Sequence, residues 1–314
     1  MKMSLLKLAI LETLGQTMNV YAAPGFVGLP ITGFASSAYT NCFNDGKSAA
    51  DPRGNFGSYS PYLLPTTTMN NTCWVVKPAA ELVSPIAGYT LVGSRTVNIP
   101  RATGDSSATI GTLVDYVWRN SSANMCIIGT RVTMIGIDHD NTLAGTQYFQ
   151  ANDLVRGGFS GLEVNAGYAL FTQSGFPVFR VGRTFTSVQH RALSYVTAWD
   201  RAQDGVNYLD LPTKTSVTVN ITGENFPISS TAIASTTLAT QDAMVNDNWV
   251  DFTMEVTSVD ADTSAGAVSP FTYIQAPCAT SPTVKTGAIR LRQTAQENTT
   301  FKEIIMDGYA IGTP

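Results

Sequence analysis

Four side chains that can offer oxygen ligands fall within residues 200–210: Asp200, Asp204, Asn207 and Asp210, with Gly205 among them. Calcium takes roughly six to eight oxygen ligands, and a glycine permits the sharp turn that gathers them, so this loop is a candidate calcium site. The spacing is not that of an EF-hand, and no glutamate closes the loop. Asp-Gly and Asn are also ordinary turn formers, so a hairpin loop is the competing reading.

A second polar group is Asp138-His139-Asp140-Asn141. A histidine between two carboxylates is expected to have a raised pKa and to serve as acid or base. The same four residues at the end of an apolar strand also make a turn with no chemistry, and that is the reading favoured here. Asp260 and Asp262 read as a further turn.

No nucleophile motif is complete. Residues 157–162 resemble a nucleophile elbow around Ser160, but the motif requires glycine where Leu162 stands. Only His139 and His190 are available as bases. Asp45-Gly46-Lys47-Ser48 ends like a phosphate loop, yet the earlier glycine position holds Asn41. A glycosidase needs only two well-separated carboxylates, and no pair stands out. No catalytic residue is assigned, and the chain is not read as an enzyme.

Aromatic residues offer a different chemistry, sugar stacking. Trp118 and Trp249 lie in alternating runs and are expected in the core. Trp74, Tyr59 and Tyr62 lie in or beside a loop-rich N-terminal part and are expected at the surface, where they suit a polysaccharide partner. Asn70, Asn120, Asn220 and Asn298 begin N-x-S/T sites, which matter only in a eukaryotic secretory route.

The elements that must position these residues are mainly strands. Val250, Phe252, Met254 and Val256 alternate with Asp251, Thr253, Glu255 and Thr257; Val217, Val219 and Ile221 alternate with Thr218 and Asn220. Ile289 and Leu291 alternate with Arg290 and Arg292, and residues 109–119 place Leu113, Tyr116 and Trp118 among polar neighbours. A period of two predicts half-buried antiparallel strands with one face wet. The longer apolar run 125–137 predicts a central strand covered on both faces. Residues 149–159 are read as a short helix, with Asn152 or Asp153 as cap and Gly157-Gly158 as stop, and 232–245 as another. The fold class is therefore all-β: an antiparallel β-sandwich, jelly-roll-like or Ig-like, with long loops and at most one or two short helices.

Residues 1–22 have the basic start, apolar middle and small residues of a secretory signal, with the cut after Ala22, although Lys7 and Glu12 interrupt the run. The competing reading is a retained amphipathic helix. Residues 23–40 then form an extended apolar arm containing Phe26, Val27, Leu29, Ile31 and Phe34, and 41–314 the sandwich, as one domain or as two subdomains meeting near 138–150.

Cysteine usage agrees with export. Cys42, Cys73, Cys126 and Cys278 are even in number, widely spaced and free of any C-x-x-C pair. The simplest pairing is Cys42–Cys73 with Cys126–Cys278, although spacing alone leaves three connectivities open. Charged residues are only 13% and the net charge is −4, with no basic run, which excludes nucleic acid as a partner. Beyond the leader no apolar stretch is long enough to cross a bilayer as a helix, so no integral membrane segment is expected. Low charge permits self-association.

Together these features predict a secreted or cell-surface structural protein, a homo-oligomer or homopolymer in an extracellular filament, sheath or matrix. Its arm is suited to strand addition at a sheet edge, in a neighbour or in its own domain. A carbohydrate-binding module, with or without calcium, is the alternative; a glycan hydrolase ranks behind it.

Overall fold

The computed structural model describes residues 25–42, 73–171, 178–188, 211–216, 241–259, 266–293 and 301–314. Within them the chain is all-β: two six-stranded antiparallel sheets pack face to face as a sandwich, and no helix occurs among the described residues. Sheet 1 runs β1 (Val27–Leu29), β7 (Val164–Ala169), β12 (Phe271–Pro277), β5 (Met125–Met134), β4 (Thr109–Asn120) and β3 (Thr90–Pro100). Sheet 2 runs β14 (Lys302–Ala310), β13 (Thr283–Gln293), β6 (Ala151–Gly157), β11 (Trp249–Val256), β8 (Arg180–Gly182) and β2 (Tyr39–Asn41). A small parallel pair, β9 (Thr213–Thr215) and β10 (Asp242–Met244), stands beside them.

Alternation in the sequence becomes the core between the sheets. Val250, Phe252, Met254 and Val256 of β11 and Ile289 and Leu291 of β13 face Leu113, Val117, Ile128 and Val132 of sheet 1, all buried. The apolar run at 125–137 supplies β5, which lies between β4 and β12. Residues 138–150 carry the chain from β5 in sheet 1 to β6 in sheet 2.

Both disulfides form, in the simplest pairing. Cys126–Cys278 ties the start of β5 to the end of its neighbour β12, where Ala276 and Cys126 are already paired in register. Cys42–Cys73 ties the end of β2 in sheet 2 to a segment lying against β7 in sheet 1. Two disulfides are compatible with an oxidising, extracellular environment.

Three expectations are corrected. Residues 149–159 are not a helix but the strand β6, paired on one side with β11 and on the other with β13. Asn152 and Asp153 are buried strand residues, not caps. Two ladder partners outweigh a weak local helix preference. Of 232–245, only 241–245 are described, and they contain β10, not a helix.

The second correction concerns the wet faces. β11 is buried along its whole length, Asp251, Thr253 and Glu255 included. Further layers cover the outer faces of the inner strands of both sheets, which a period of two cannot reveal, while β3 and β14 keep an exposed face. On sheet 1, residues 75–89 lie over Trp118, Phe271 and Tyr273, and the Trp118 indole N–H donates to the Leu82 carbonyl at 2.9 Å. On sheet 2, residues 183–188 take that place, with the Phe185 ring 4.4 Å from Trp249 and 4.1 Å from the Arg292 guanidinium.

Trp74 is the third. It is 5% exposed and stacks on Tyr168 with ring centroids 6.3 Å apart, so it offers no surface for a sugar. Trp118 and Trp249 are buried as expected.

Candidate functional site

The flank of the sandwich built by the N-terminal residues 25–42 is the candidate site. β1 adds antiparallel to β7, with Val27, Gly28 and Leu29 opposite Ala166, Asn165 and Val164. Turns at 30–33 and 34–37 then carry the chain across the flank, closed by Gly33 N–H to the Pro30 carbonyl at 2.8 Å and Phe34 N–H to the Ser37 carbonyl at 2.9 Å. β2 adds antiparallel to β8, with Tyr39, Thr40 and Asn41 opposite Gly182, Val181 and Arg180. One short segment therefore supplies the edge strand of both sheets. Such a segment satisfies backbone groups that would otherwise stand open for pairing with another chain.

The arm residues read from the sequence divide among different surroundings. Leu29 is buried in the core between the sheets, with Val27 and Phe34 packed against it. Phe26 turns to the outer aromatic cluster of sheet 1 beside Val75 and Tyr273. Ile31 lies half-buried in the turn. The rest of the β7 edge is taken by residues 73–75: Tyr168 N–H donates to the Cys73 carbonyl, and Val75 N–H to the Tyr168 carbonyl, both at 2.8 Å. Gly25 has φ +85°, and a Cβ there would lie 2.1 Å from the Trp74 carbonyl oxygen, so only glycine fits this crossing.

On sheet 2 the arm ends in a buried array of charges. Register places Glu303, Arg292, Asp153, Thr253, Arg180 and Asn41 in one row across six strands. Two residues along, on the same face of the sheet, Ile305, Arg290, Val155, Asp251, Gly182 and Tyr39 form another row. The Tyr39 hydroxyl lies 2.9 Å from Asp251 Oδ2 and 2.5 Å from the Thr186 carbonyl oxygen. Arg292 Nε donates to Glu303 Oε2 at 2.7 Å, and its Nη1 to Phe185 O and Ser187 Oγ at 2.8 and 3.0 Å. Asp251 also shares a hydrogen bond with Asp153.

Burial pushes the Asp251 carboxyl well above the usual range, and the Asp153 charge adds to the rise. Burial also raises Tyr39, with Asp251 and Asp153 contributing. Two carboxyls in hydrogen-bond contact hold a proton between them. The array thus anchors Tyr39 and residues 183–188 over the face of sheet 2. The sequence reading missed it because alternation was taken to put Asp251 and Arg292 in water. The available signal was charges of both signs within β-patterned runs in a chain of only 13% charged residues.

The other sequence candidates are structural. Asp138-His139-Asp140-Asn141 forms the favoured turn, but the histidine differs from expectation: burial comes first and lowers its pKa. The ring packs edge-on against Phe149 at 5.5 Å. Asp140 accepts Lys302 Nζ at 3.0 Å and the Thr142 hydroxyl at 2.5 Å, and is held at about 2 by these bonds. In the elbow-like loop, the amides of Gly158, Phe159 and Ser160 all donate to Asn248 Oδ1 at 3.0–3.1 Å. The Ser160 hydroxyl meets Asp247.

Asp200, Asp204, Asn207 and Asp210 lie outside the described residues. So do 1–22, 45–48, Tyr59, Tyr62, His190, the 217–221 alternation and the turn at Asp260 and Asp262. Among the described residues no group of three or more His, Cys, Asp or Glu gathers around a cation position. No helix among them is long and apolar enough to cross a membrane. No family model, no curated protein and no solved structure matches the chain.

Proposed function

We propose that the protein is a secreted structural subunit that self-assembles into an extracellular filament, sheath or surface matrix by exchanging its N-terminal segment between copies. The observation that carries this reading is that residues 25–42 lay an edge strand on each of the two sheets. In a single chain the segment closes both edges. Between chains the same pairings would join one copy to the next with no new interface chemistry, the low-cost route of domain swapping. Low charge supports the reading, because copies meet with little electrostatic repulsion.

The test is direct. Purified native protein is followed by light scattering and negative-stain electron microscopy over a range of concentrations. Ordered polymers or discrete oligomers are expected, and they should disappear when Leu29→Asp and Tyr39→Ala unseat the segment. A particle that stays monomeric throughout overturns the proposal.

A further inference from the structure

We propose that in the assembled protein the Cys42–Cys73 disulfide is a covalent link between copies. This rests on the assembly reading above and names the bond that would lock it. Cys42 follows β2 directly and travels with residues 25–42. Cys73 belongs to the acceptor body, where its carbonyl oxygen accepts the Tyr168 N–H of β7 at 2.8 Å. Both seats of the segment thus flank Cys73: β1 lies on the same β7 edge, and Cys42 N–H donates to the Phe179 carbonyl beside β8 at 2.9 Å. A segment that enters a neighbour with the same register brings its Cys42 to the neighbour's Cys73 in the geometry the single chain already shows.

Chain length permits the exchange. Cys42 and Cys73 are 31 positions apart in sequence. An extended chain covers about 3.3–3.6 Å per residue, so a connection of this length has a maximum reach on the order of 100 Å. Cys126–Cys278 behaves differently, because it joins two adjacent strands deep in one body and has no part in the segment.

The chemistry balances. The thiols of Cys42 in one copy and Cys73 in the next lose two protons and two electrons to form the S–S bond. A low-molecular-weight disulfide such as oxidised glutathione takes them and becomes two thiols.

The test uses the full chain made in light-nitrogen and heavy-nitrogen forms. Equal amounts are mixed in denaturant with the thiols reduced, then refolded and assembled together in a glutathione redox buffer. The oligomer fraction is digested without reduction and the disulfide-linked peptides are weighed. Hybrid Cys42–Cys73 peptides, one partner light and one heavy, are expected to be as abundant as the two uniform forms together. Cys126–Cys278 peptides should be uniform only, which also shows that the fold has formed. Oligomers whose Cys42–Cys73 peptides are all uniform overturn this inference and the exchange of the segment, while self-assembly by another contact stands. Chains with uniform Cys126–Cys278 that never associate overturn both.

Discussion

Arg156 on β6 and Asp115 on β4 meet at 2.8 Å in the space between the two sheets, their side chains 1% and 0% exposed. The pair does more than join the layers. Asp115 Oδ2 accepts the Tyr309 backbone N–H at 2.7 Å, and Arg156 Nη2 donates to the Tyr309 carbonyl at 2.5 Å. One ion pair therefore satisfies both polar groups of a β14 residue. The Tyr309 ring continues over β3 at Gly93, where a Cβ would lie 2.8 Å from it. The flank opposite the N-terminal segment is closed in this way.

Removing one member leaves a buried charge without its partner. Asp115→Ala is expected to lower unfolding free energy by about 3–5 kcal/mol. The double variant Asp115→Leu/Arg156→Met should recover much of that loss. Urea denaturation of the three proteins measures it, and a single variant within 1 kcal/mol of the parent (about the cost of an exposed pair) would show the pair to be unimportant.

Gly25→Ala tests the crossing over Trp74. Left-handed backbone costs a non-glycine residue about 1–2 kcal/mol, and here the Cβ also meets a carbonyl oxygen. Amide exchange at Val27 and Leu29 should accelerate about tenfold or more while β5 and β12 keep their protection. Unchanged exchange at β1 would contradict the role assigned to Gly25.

Asp251 sets a pH dependence with a definite sign. Its folded-state pKa is raised, so the folded chain holds a proton that the unfolded chain releases near pH 4. That contribution is fully present below about pH 4 and is lost as pH rises toward the folded value. Tyr39, Asp153 and Arg292 face the same carboxyl. Asp251→Asn keeps a neutral hydrogen-bonding group and should flatten the decline. Urea midpoints across this range check it, and parallel curves for variant and parent would refute it.

His139 acts in the opposite direction. Burial lowers its pKa, so the unfolded chain takes up a proton near pH 6.5 that the folded chain refuses. Stability is complete above that pH and falls as pH drops toward the folded value. His139→Gln should remove this loss as pH falls below about 6.5. Direct titration of the ring by NMR gives the folded value, which is expected below 6.5.

Loss of Cys126–Cys278 frees a loop of 152 positions, and Cys126→Ala/Cys278→Ala is expected to cost about 2–5 kcal/mol. Calorimetry of the oxidised proteins measures it. A variant as stable as the parent would mean that the β5–β12 ladder alone carries this part of sheet 1.

Local pattern carried much of the architecture. The period of two at 250–256 and 289–292 became β11 and β13, because alternating side chains fit a strand, and the apolar run at 125–137 supplied β5 over Met125–Met134. Even cysteine spacing suggested the disulfide pairs that formed. At 149–159 the same kind of reading failed, since the pairing of β6 with β11 and β13 comes from segments far along the chain.

The sequence by itself determined the all-β class, the inward apolar rows and an N-terminal segment apolar enough to add to a sheet. Only the tertiary structure decided that this segment closes an edge of both sheets and that Trp74 is covered. It also decided that Asp251, Asp153 and Arg292 are buried together. The physical reason is the same throughout. Alternation tells which side chains share a face, but burial of that face depends on what another part of the chain lays over it.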